Sequence, residues 1–261
     1  MSALKKIATG IIALTSSIAI AGTMGPIEEP FKGSAYIKVG SGGSFSNTSH
    51  LEIDPLFWDD SPQGYNATLG DSALFSLAFG YNFSPLVSVD VDYTYRPSFT
   101  YSKFQTSSAS GTVNFNGTKT RYFDLQTNTF LANMYLHGQG VSPSFVLHAW
   151  NSVTVQPFIG AGLGVSYNKI SRFYSIRAND DQAVATEFEK TNASFAWQAS
   201  AGVEVALPHN FDLAIGYRYF DGGDYKSDNN TFDVPPAFAT PWKGSITANE
   251  VFVTLAYKMY A

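Results

Sequence analysis

Residues 157–167, PFIGAGLGVSY, carry three glycines at alternate positions: Gly160, Gly162 and Gly164. Glycine-x-glycine turns can cradle a pyrophosphate, and Asp180 follows at about the distance at which a dinucleotide site holds a ribose hydroxyl. The dinucleotide fingerprint needs its third glycine three residues after the second, where this chain has Val165, and no helical pattern follows. We therefore predict that the three glycines share one face of a strand and leave room for longer side chains there.

Histidine, cysteine and serine offer the other familiar catalytic and metal-binding chemistry. The chain has no cysteine, and its histidines are scattered over predicted loops and turns without metal-ligand spacing: His50, His137, His148 and His209. A lipid deacylase of the cell envelope would need a histidine and a serine two residues apart on one strand, but Gln139 and Trp150 occupy those positions. The sequence therefore predicts no metal, no cofactor and no enzymatic activity. A lipid-modifying envelope enzyme is the least favoured alternative.

The N-terminal residues indicate export. Lys5 and Lys6 precede an apolar segment, and Ala19 and Ala21 occupy the −3 and −1 positions of a cleavage site. We expect residues 1–21 to be a signal peptide and residues 22–32 a short periplasmic segment. Without the two lysines, 14 basic and 21 acidic residues leave a net charge of −7, which disfavours binding to nucleic acid. No later stretch has 18 continuous apolar residues, so the mature chain contains no predicted transmembrane helix.

Eight later segments alternate between apolar and polar residues with a period of two, as the strands of a membrane barrel do. In residues 211–220, for example, Phe211, Leu213 and Ile215 lie on one face, and Asp212 and Arg218 lie on the other. The fourth segment has a mixed pattern near Asn133, so its register stays open. The eight segments are residues 33–41, 73–82, 87–96, 122–136, 157–167, 193–207, 211–220 and 250–259.

The connections between these segments alternate in length. NFSP and PHN are tight turns by their proline and asparagine content, and the link at 138–151 is of intermediate length. Four polar connections are much longer: residues 42–71, 98–120, 169–192 and 221–244. Because outer-membrane barrels combine short periplasmic turns with long external loops, we predict an all-β, eight-stranded, antiparallel up-and-down transmembrane barrel over residues 33–261 with four long external loops.

The charged residues of the strands fall on one parity, opposite the apolar face. An exposed Arg or Lys at the bilayer midplane would cost about 2–4 kcal/mol, so this parity should face the lumen. Gly160, Gly162 and Gly164 share it. We expect a lumen filled by side chains and closed by an ion-pair network of Lys38, Asp90, Asp92, Arg96, Glu204, Asp212, Arg218, Glu250 and Lys258. Glu204 and Arg218 lie on adjacent strands and form either a static ion pair or a gate.

LAIGYRYFDGGDY at 213–225 and FIGAGLGVSY at 158–167 resemble strands of the small outer-membrane barrels of the OmpA-transmembrane-domain and opacity-protein type. The resemblance covers about residues 33 to 260. It implies an eight-stranded barrel in the outer membrane of a Gram-negative bacterium, exposed at the surface and in some members adhesive. The chain ends with its last predicted strand, so we expect no peptidoglycan-binding domain, and Ala261 replaces the usual C-terminal aromatic residue.

The expected function is that of a surface barrel with a structural, adhesive or host-interaction role carried by its loops. The expected partners are outer-membrane lipid, lipopolysaccharide, the barrel-assembly machinery and host or matrix ligands, with the barrel itself a monomer. The alternative is a narrow pore for ions or small solutes.

Overall fold

A computed structural model describes residues 31–47, 68–106, 118–148, 153–177, 183–186, 189–229 and 241–260. Eight long strands dominate these residues. They are β1 (Ser34–Ser46), β2 (Ser72–Asn82), β3 (Val87–Thr106), β4 (Thr118–His137), β5 (Thr154–Arg177), β6 (Lys190–Leu207), β7 (Phe211–Asn229) and β8 (Pro241–Tyr260).

The eight strands close into one antiparallel barrel. Each strand pairs with the next along the chain, and β1 also pairs with β8, for instance Val39 with Leu255. Closure leaves no free sheet edge, which is the condition for a β-structure to span a bilayer. The prediction of an eight-stranded up-and-down barrel is confirmed.

Alternate residues of each strand face inward and outward, as the period-two pattern predicted. On β2, Phe75, Phe79 and Tyr81 are exposed, while Leu74 and Ala78 on the opposite face are buried. The fourth strand, whose register the sequence left open, follows the same rule: Leu131 and Asn133 are buried, and Phe130 and Met134 are exposed. The outer face is thus apolar around the barrel and suits contact with lipid tails.

The two ends of the barrel differ in their connections. At one end, residues 83–86 and 208–210 form tight turns; Ser84 caps the first, and His209 and Asn210 adopt left-handed conformations in the second. The third connection at this turn end contains a one-turn helix (Gly138–Val141), a 3-10 helix (Pro143–Phe145) and the two-residue strand Leu147–His148. The long connections lie at the opposite end, which we call the loop end.

The strands extend further toward the loop end than predicted. Residues 98–106, 118–120, 169–177, 221–229 and 241–244 were expected in loops but belong to strands. Three of these strands carry a bulge at or near the start of the extension: between Arg96 and Phe99 in β3, at Arg172 in β5 and beside Gly223 in β7, the last two with positive φ. A bulge exchanges the two faces of its strand, so the simple alternation is lost where it occurs.

Short strands at Thr68–Leu69 and Ala183–Thr186 add to β3 and β5 near the loop end. No helix within the described residues is long and apolar enough to cross a membrane. The predicted signal peptide with Ala19 and Ala21, His50, Asp180 and Ala261 lie outside the described residues.

Candidate functional site in the barrel lumen

A layer of three charged side chains crosses the lumen. Arg96 of β3 donates two hydrogen bonds to Glu250 of β8, from Nε to Oε1 at 2.6 Å and from Nη2 to Oε2 at 3.1 Å. Arg218 of β7 donates from Nε to Glu250 Oε2 at 2.5 Å, and Ser44 donates to Oε1 at 2.7 Å. Arg96 and Glu250 are fully buried, so their pairing replaces hydration that both groups have lost.

A second group of polar side chains lies nearer the turn end. Lys38 Nζ lies 2.5 Å from Asp90 Oδ2, and Asn133 donates to Asp90 Oδ1 at 2.7 Å. Gln198 in turn donates to Asn133 Oδ1 at 2.7 Å. The ring of Tyr135 lies 4.5 Å from Lys38 Nζ, so the ammonium also gains a cation–π contact. These contacts link strands β1, β3, β4 and β6 across the lumen.

The turn-end mouth of the lumen contains a third group. Lys258 of β8 lies 2.5 Å from Asp212 of β7. Ser88 Oγ and His137 Nε2 are 2.8 Å apart, and His137 Nδ1 lies 3.7 Å from Glu204 Oε2. His137, which we expected in a loop or turn, is the last residue of β4, so that prediction was wrong. The sequence could not reveal this contact because its members are distant along the chain.

The serine, histidine and glutamate at this mouth do not form a complete catalytic triad. Within the described residues, His137 Nδ1 is buried without a hydrogen-bond partner. Glu204 instead accepts a hydrogen bond from Gln156 Nε2 at 3.0 Å, and Ser88 is only 2% exposed. A triad needs the carboxylate to hold the imidazole tautomer through a direct hydrogen bond. The geometry of Ser88, His137 and Glu204 therefore fits a structural polar contact between strands better than it fits an acyl-transfer site.

The nine charged residues singled out from the sequence all lie on inward-facing positions, and seven of them form ion pairs with one another: Lys38 with Asp90, Lys258 with Asp212, and Glu250 with both Arg96 and Arg218. Asp92 accepts a hydrogen bond from Thr94 at 2.6 Å. The predicted contact between Glu204 and Arg218 does not form. Glu204 stands opposite Ala214, four residues before Arg218.

Gly160, Gly162 and Gly164 lie on the inner face of β5, where each stands opposite a residue of β4. A Cβ at Gly160 would overlap the Tyr135 ring, and one at Gly162 would overlap the Asn133 amide. The structure gives that space to Tyr135 and Asn133, while Gly80 accommodates Tyr36 and Gly216 accommodates Phe252.

A cavity of about 60 Å³ opens from the turn-end mouth into the lumen. Its lining combines apolar residues such as Leu74 and Phe158 with Lys38, Asp92 and Arg218. Arg218 Nη2 and Gln198 Oε1 are buried atoms without a hydrogen-bond partner in the described residues. The cavity is therefore polar enough to hold water.

An apolar cluster fills the lumen on the loop-end side of the charged layer. Tyr101 stacks on Phe123 with ring centroids 4.4 Å apart, and Phe173 and Tyr225 lie against Phe123. We call this cluster the apolar plug; its buried members are Leu69, Phe99, Tyr101, Phe123, Leu125, Ile170, Phe173, Tyr225 and Ile246. The alternation of the sequence did not predict this cluster, because Phe99, Phe173 and Tyr225 turn inward only after the bulges.

The sequence matches the family model described as "Outer membrane protein beta-barrel domain" over residues 12–238. The chain belongs to this family. As an outer-membrane barrel, it lies in the cell outer membrane with its short turns toward the periplasm and its long loops outside. The cavity is then on the periplasmic side, and the apolar plug is on the external side.

Several solved structures share the barrel fold. OprG from Pseudomonas aeruginosa is 16% identical, with a TM-score of 0.51 over 88% of this chain and 97% of that one. Neisserial surface protein A is 14% identical, with a TM-score of 0.43 over 88% and 100% of the two chains. AlkL is 13% identical, with a TM-score of 0.41 over 93% and 98%. No match was found among curated proteins.

Proposed function

We propose that this outer-membrane barrel is a closed scaffold that presents its long loops at the cell surface for a structural, adhesive or host-interaction role. In this proposal it is a monomer inserted by the barrel-assembly machinery. Catalysis plays no part in that role, since the serine–histidine contact at the periplasmic mouth lacks the carboxylate hydrogen bond that activation requires.

The observation that carries this proposal is the order of the layers inside the barrel. A solute that entered the periplasmic cavity would meet the Arg96–Glu250–Arg218 layer and then the apolar plug. Ions crossing the plug would exchange their hydration for a lining of mainly aliphatic and aromatic side chains, which is strongly unfavourable. A closed lumen leaves the external surface as the part of the molecule available to partners.

Loop replacement tests this proposal. Residues 48–67, 107–117, 178–188 and 230–240 would each be replaced by a short Gly-Ser linker, singly and together, and binding of whole cells to host cells and matrix proteins measured. We expect at least one replacement to abolish binding while the barrel keeps its folded mobility on unboiled gels. Equal binding with all four loops replaced, or no binding by the original protein, would reject the adhesive role.

A narrow pore is the second candidate, and the polar periplasmic cavity is the observation that favours it. Conduction would require the plug to move aside, because the cavity alone reaches only part of the way through the lumen. Uptake of small sugars into proteoliposomes distinguishes the two candidates. A closed scaffold gives no uptake above that of protein-free vesicles.

A further inference from the structure

A polar groove lies near the external end of strands β6, β7 and β8. Its lining offers cationic or neutral donors at Asn192, Lys226, Lys243 and Ser245, and one carboxylate at Asp224. The Asn192 side chain accepts a hydrogen bond from the Lys226 backbone at 3.2 Å, and Ser194 donates to the Asp224 carbonyl at 2.7 Å. These two bonds hold the β6 and β7 walls of the groove together.

Lys226 and Lys243 stand directly opposite each other in the β7–β8 ladder. Like charges at directly opposed positions destabilise a sheet. Without a compensating anion, the two lysines therefore lower the stability of the β7–β8 pairing. Among the described residues neither lysine forms an ion pair, whereas the neighbouring Lys190 and Asp228 pair with each other at 3.4 Å. The two lysines therefore offer their charges to a group outside the described protein.

The groove lies on the outer wall of the barrel. Tyr225 and Ile246 are fully buried in the apolar plug, and Lys226 and Ser245 adjoin them on the opposite face of the same strands. Below the groove, Trp197 packs on Tyr219 with ring centroids 5.4 Å apart and donates to Asp221 at 3.2 Å. Trp197 is exposed, and exposed aromatic residues mark the boundary between lipid tails and head groups in outer-membrane barrels.

The height of the groove above this boundary follows from strand geometry. Lys226 lies seven residues beyond Tyr219 on β7, one of which is taken up by the bulge beside Gly223. At about 3.3 Å per residue and a strand tilt of about 40°, the lysines lie roughly 15 Å above the aromatic boundary. An outward-facing cationic groove at this height faces the phosphorylated sugars of the outer leaflet.

We infer that Lys226 and Lys243 form a binding site for a phosphate group on the sugar part of a lipopolysaccharide molecule beside the barrel. The two ammonium groups supply the charge, and Ser245 on the same outer face supplies a neutral hydrogen-bond group to the sugar. The inference depends on the outer-membrane location and not on the adhesive role of the loops. The Asp224 carboxylate lies in the same groove and repels a bound phosphate. Removing its charge should therefore strengthen binding, whereas removing either lysine charge should weaken it.

Native mass spectrometry of the purified full-length barrel with phosphorylated-core lipopolysaccharide tests this site. We expect Lys226→Gln and Lys243→Gln each to weaken binding about threefold and the double variant about tenfold, whereas Asp224→Asn strengthens it. Lys169→Gln is the matched control, because Lys169 is an outer-wall lysine already paired with Glu189 at 2.7 Å. Its binding should equal that of the original protein.

Two further ligands distinguish the source of the phosphate. Enzymatically dephosphorylated lipopolysaccharide should bind the original protein and the double lysine variant equally. Inorganic phosphate at the same concentration as the lipid should not compete, because it offers the lysines a phosphate group without the sugar that Ser245 contacts. The inference is overturned if the double variant binds phosphorylated lipopolysaccharide as well as the original protein does, if Asp224→Asn weakens binding, or if inorganic phosphate displaces the lipid. The effect of the lysine substitutions on lipopolysaccharide binding does not depend on whether the loop replacements change host-cell binding. The two proposals can therefore fail separately.

Discussion

Arg96 and Glu250, which are 154 residues apart in the chain, meet through two hydrogen bonds in the middle of the lumen, the shorter at 2.6 Å. The Arg96 guanidinium also lies 3.7 Å from the centroid of the Phe220 ring. Arg96 therefore joins the charged layer to the apolar residues next to it, and Glu250 joins two arginines on opposite sides of the barrel. This one carboxylate therefore holds the charged layer together.

Replacing Glu250 with alanine should strongly destabilise the folded barrel. The change leaves two buried guanidinium groups without their shared carboxylate, and breaking a buried ion pair from one side costs about 3–5 kcal/mol. Urea unfolding in lipid vesicles, followed by tryptophan fluorescence, measures the free energy of unfolding.

Glu204→Ala is the control for this measurement, because Glu204 is only partly buried and lies at the periplasmic mouth. We expect it to change the free energy of unfolding by less than about 1 kcal/mol. Equal effects of the two substitutions would show that Glu250 has no special structural role.

Replacing Gly162 with valine should prevent normal folding of the lumen. The new side chain would occupy the position of the Asn133 amide, which links Asp90 to Gln198. Displacing it leaves buried polar groups unpaired at about 1–3 kcal/mol each, in addition to the steric strain. The temperature at which the folded band disappears on gels should fall.

Ala161→Val adds bulk at the adjacent position, where the side chain faces lipid. It should leave that temperature nearly unchanged. If Gly162→Val is tolerated as well as Ala161→Val, the glycines do not make room for lumen side chains.

A fluorophosphonate probe should not label Ser88 in the folded barrel. His137 Nε2 lies 2.8 Å from Ser88 Oγ. Within the described residues, however, His137 Nδ1 has no hydrogen-bond acceptor that would stabilise an imidazolium ion. Peptide mass spectrometry after incubation reads the adduct directly. Labelling of Ser88 that disappears in His137→Gln would contradict the non-catalytic function and identify an acyl-transfer site.

Much of the fold followed from the sequence because a barrel in lipid permits only one side of each strand to be polar. Phe75, Phe79 and Tyr81 of β2 alternate with small or polar residues over the full width of the membrane, so strand and face could both be predicted. The same constraint placed Lys38, Asp90 and Glu250 on inward-facing positions. Tight turns were equally predictable from proline and asparagine.

The pairing of side chains across the lumen could not be predicted. Strand parity gives the face of Glu204 but not its height, and a shift of four residues separates it from Arg218. The bulges were a second obstacle, since one extra residue at Arg172 or Gly223 reverses the faces that follow. Phe173 and Tyr225 therefore looked like loop residues, although they fill the external half of the lumen.

The conductance of the purified barrel in a planar lipid bilayer tests the closed lumen most directly. We expect no steady current from the original protein at about 100 mV. A double variant that removes both barriers, Phe123→Ala with Arg218→Ala, should produce discrete open events. The effect should depend on both changes, because the apolar plug and the charged layer lie in series. A large, steady conductance from the original protein would contradict the account.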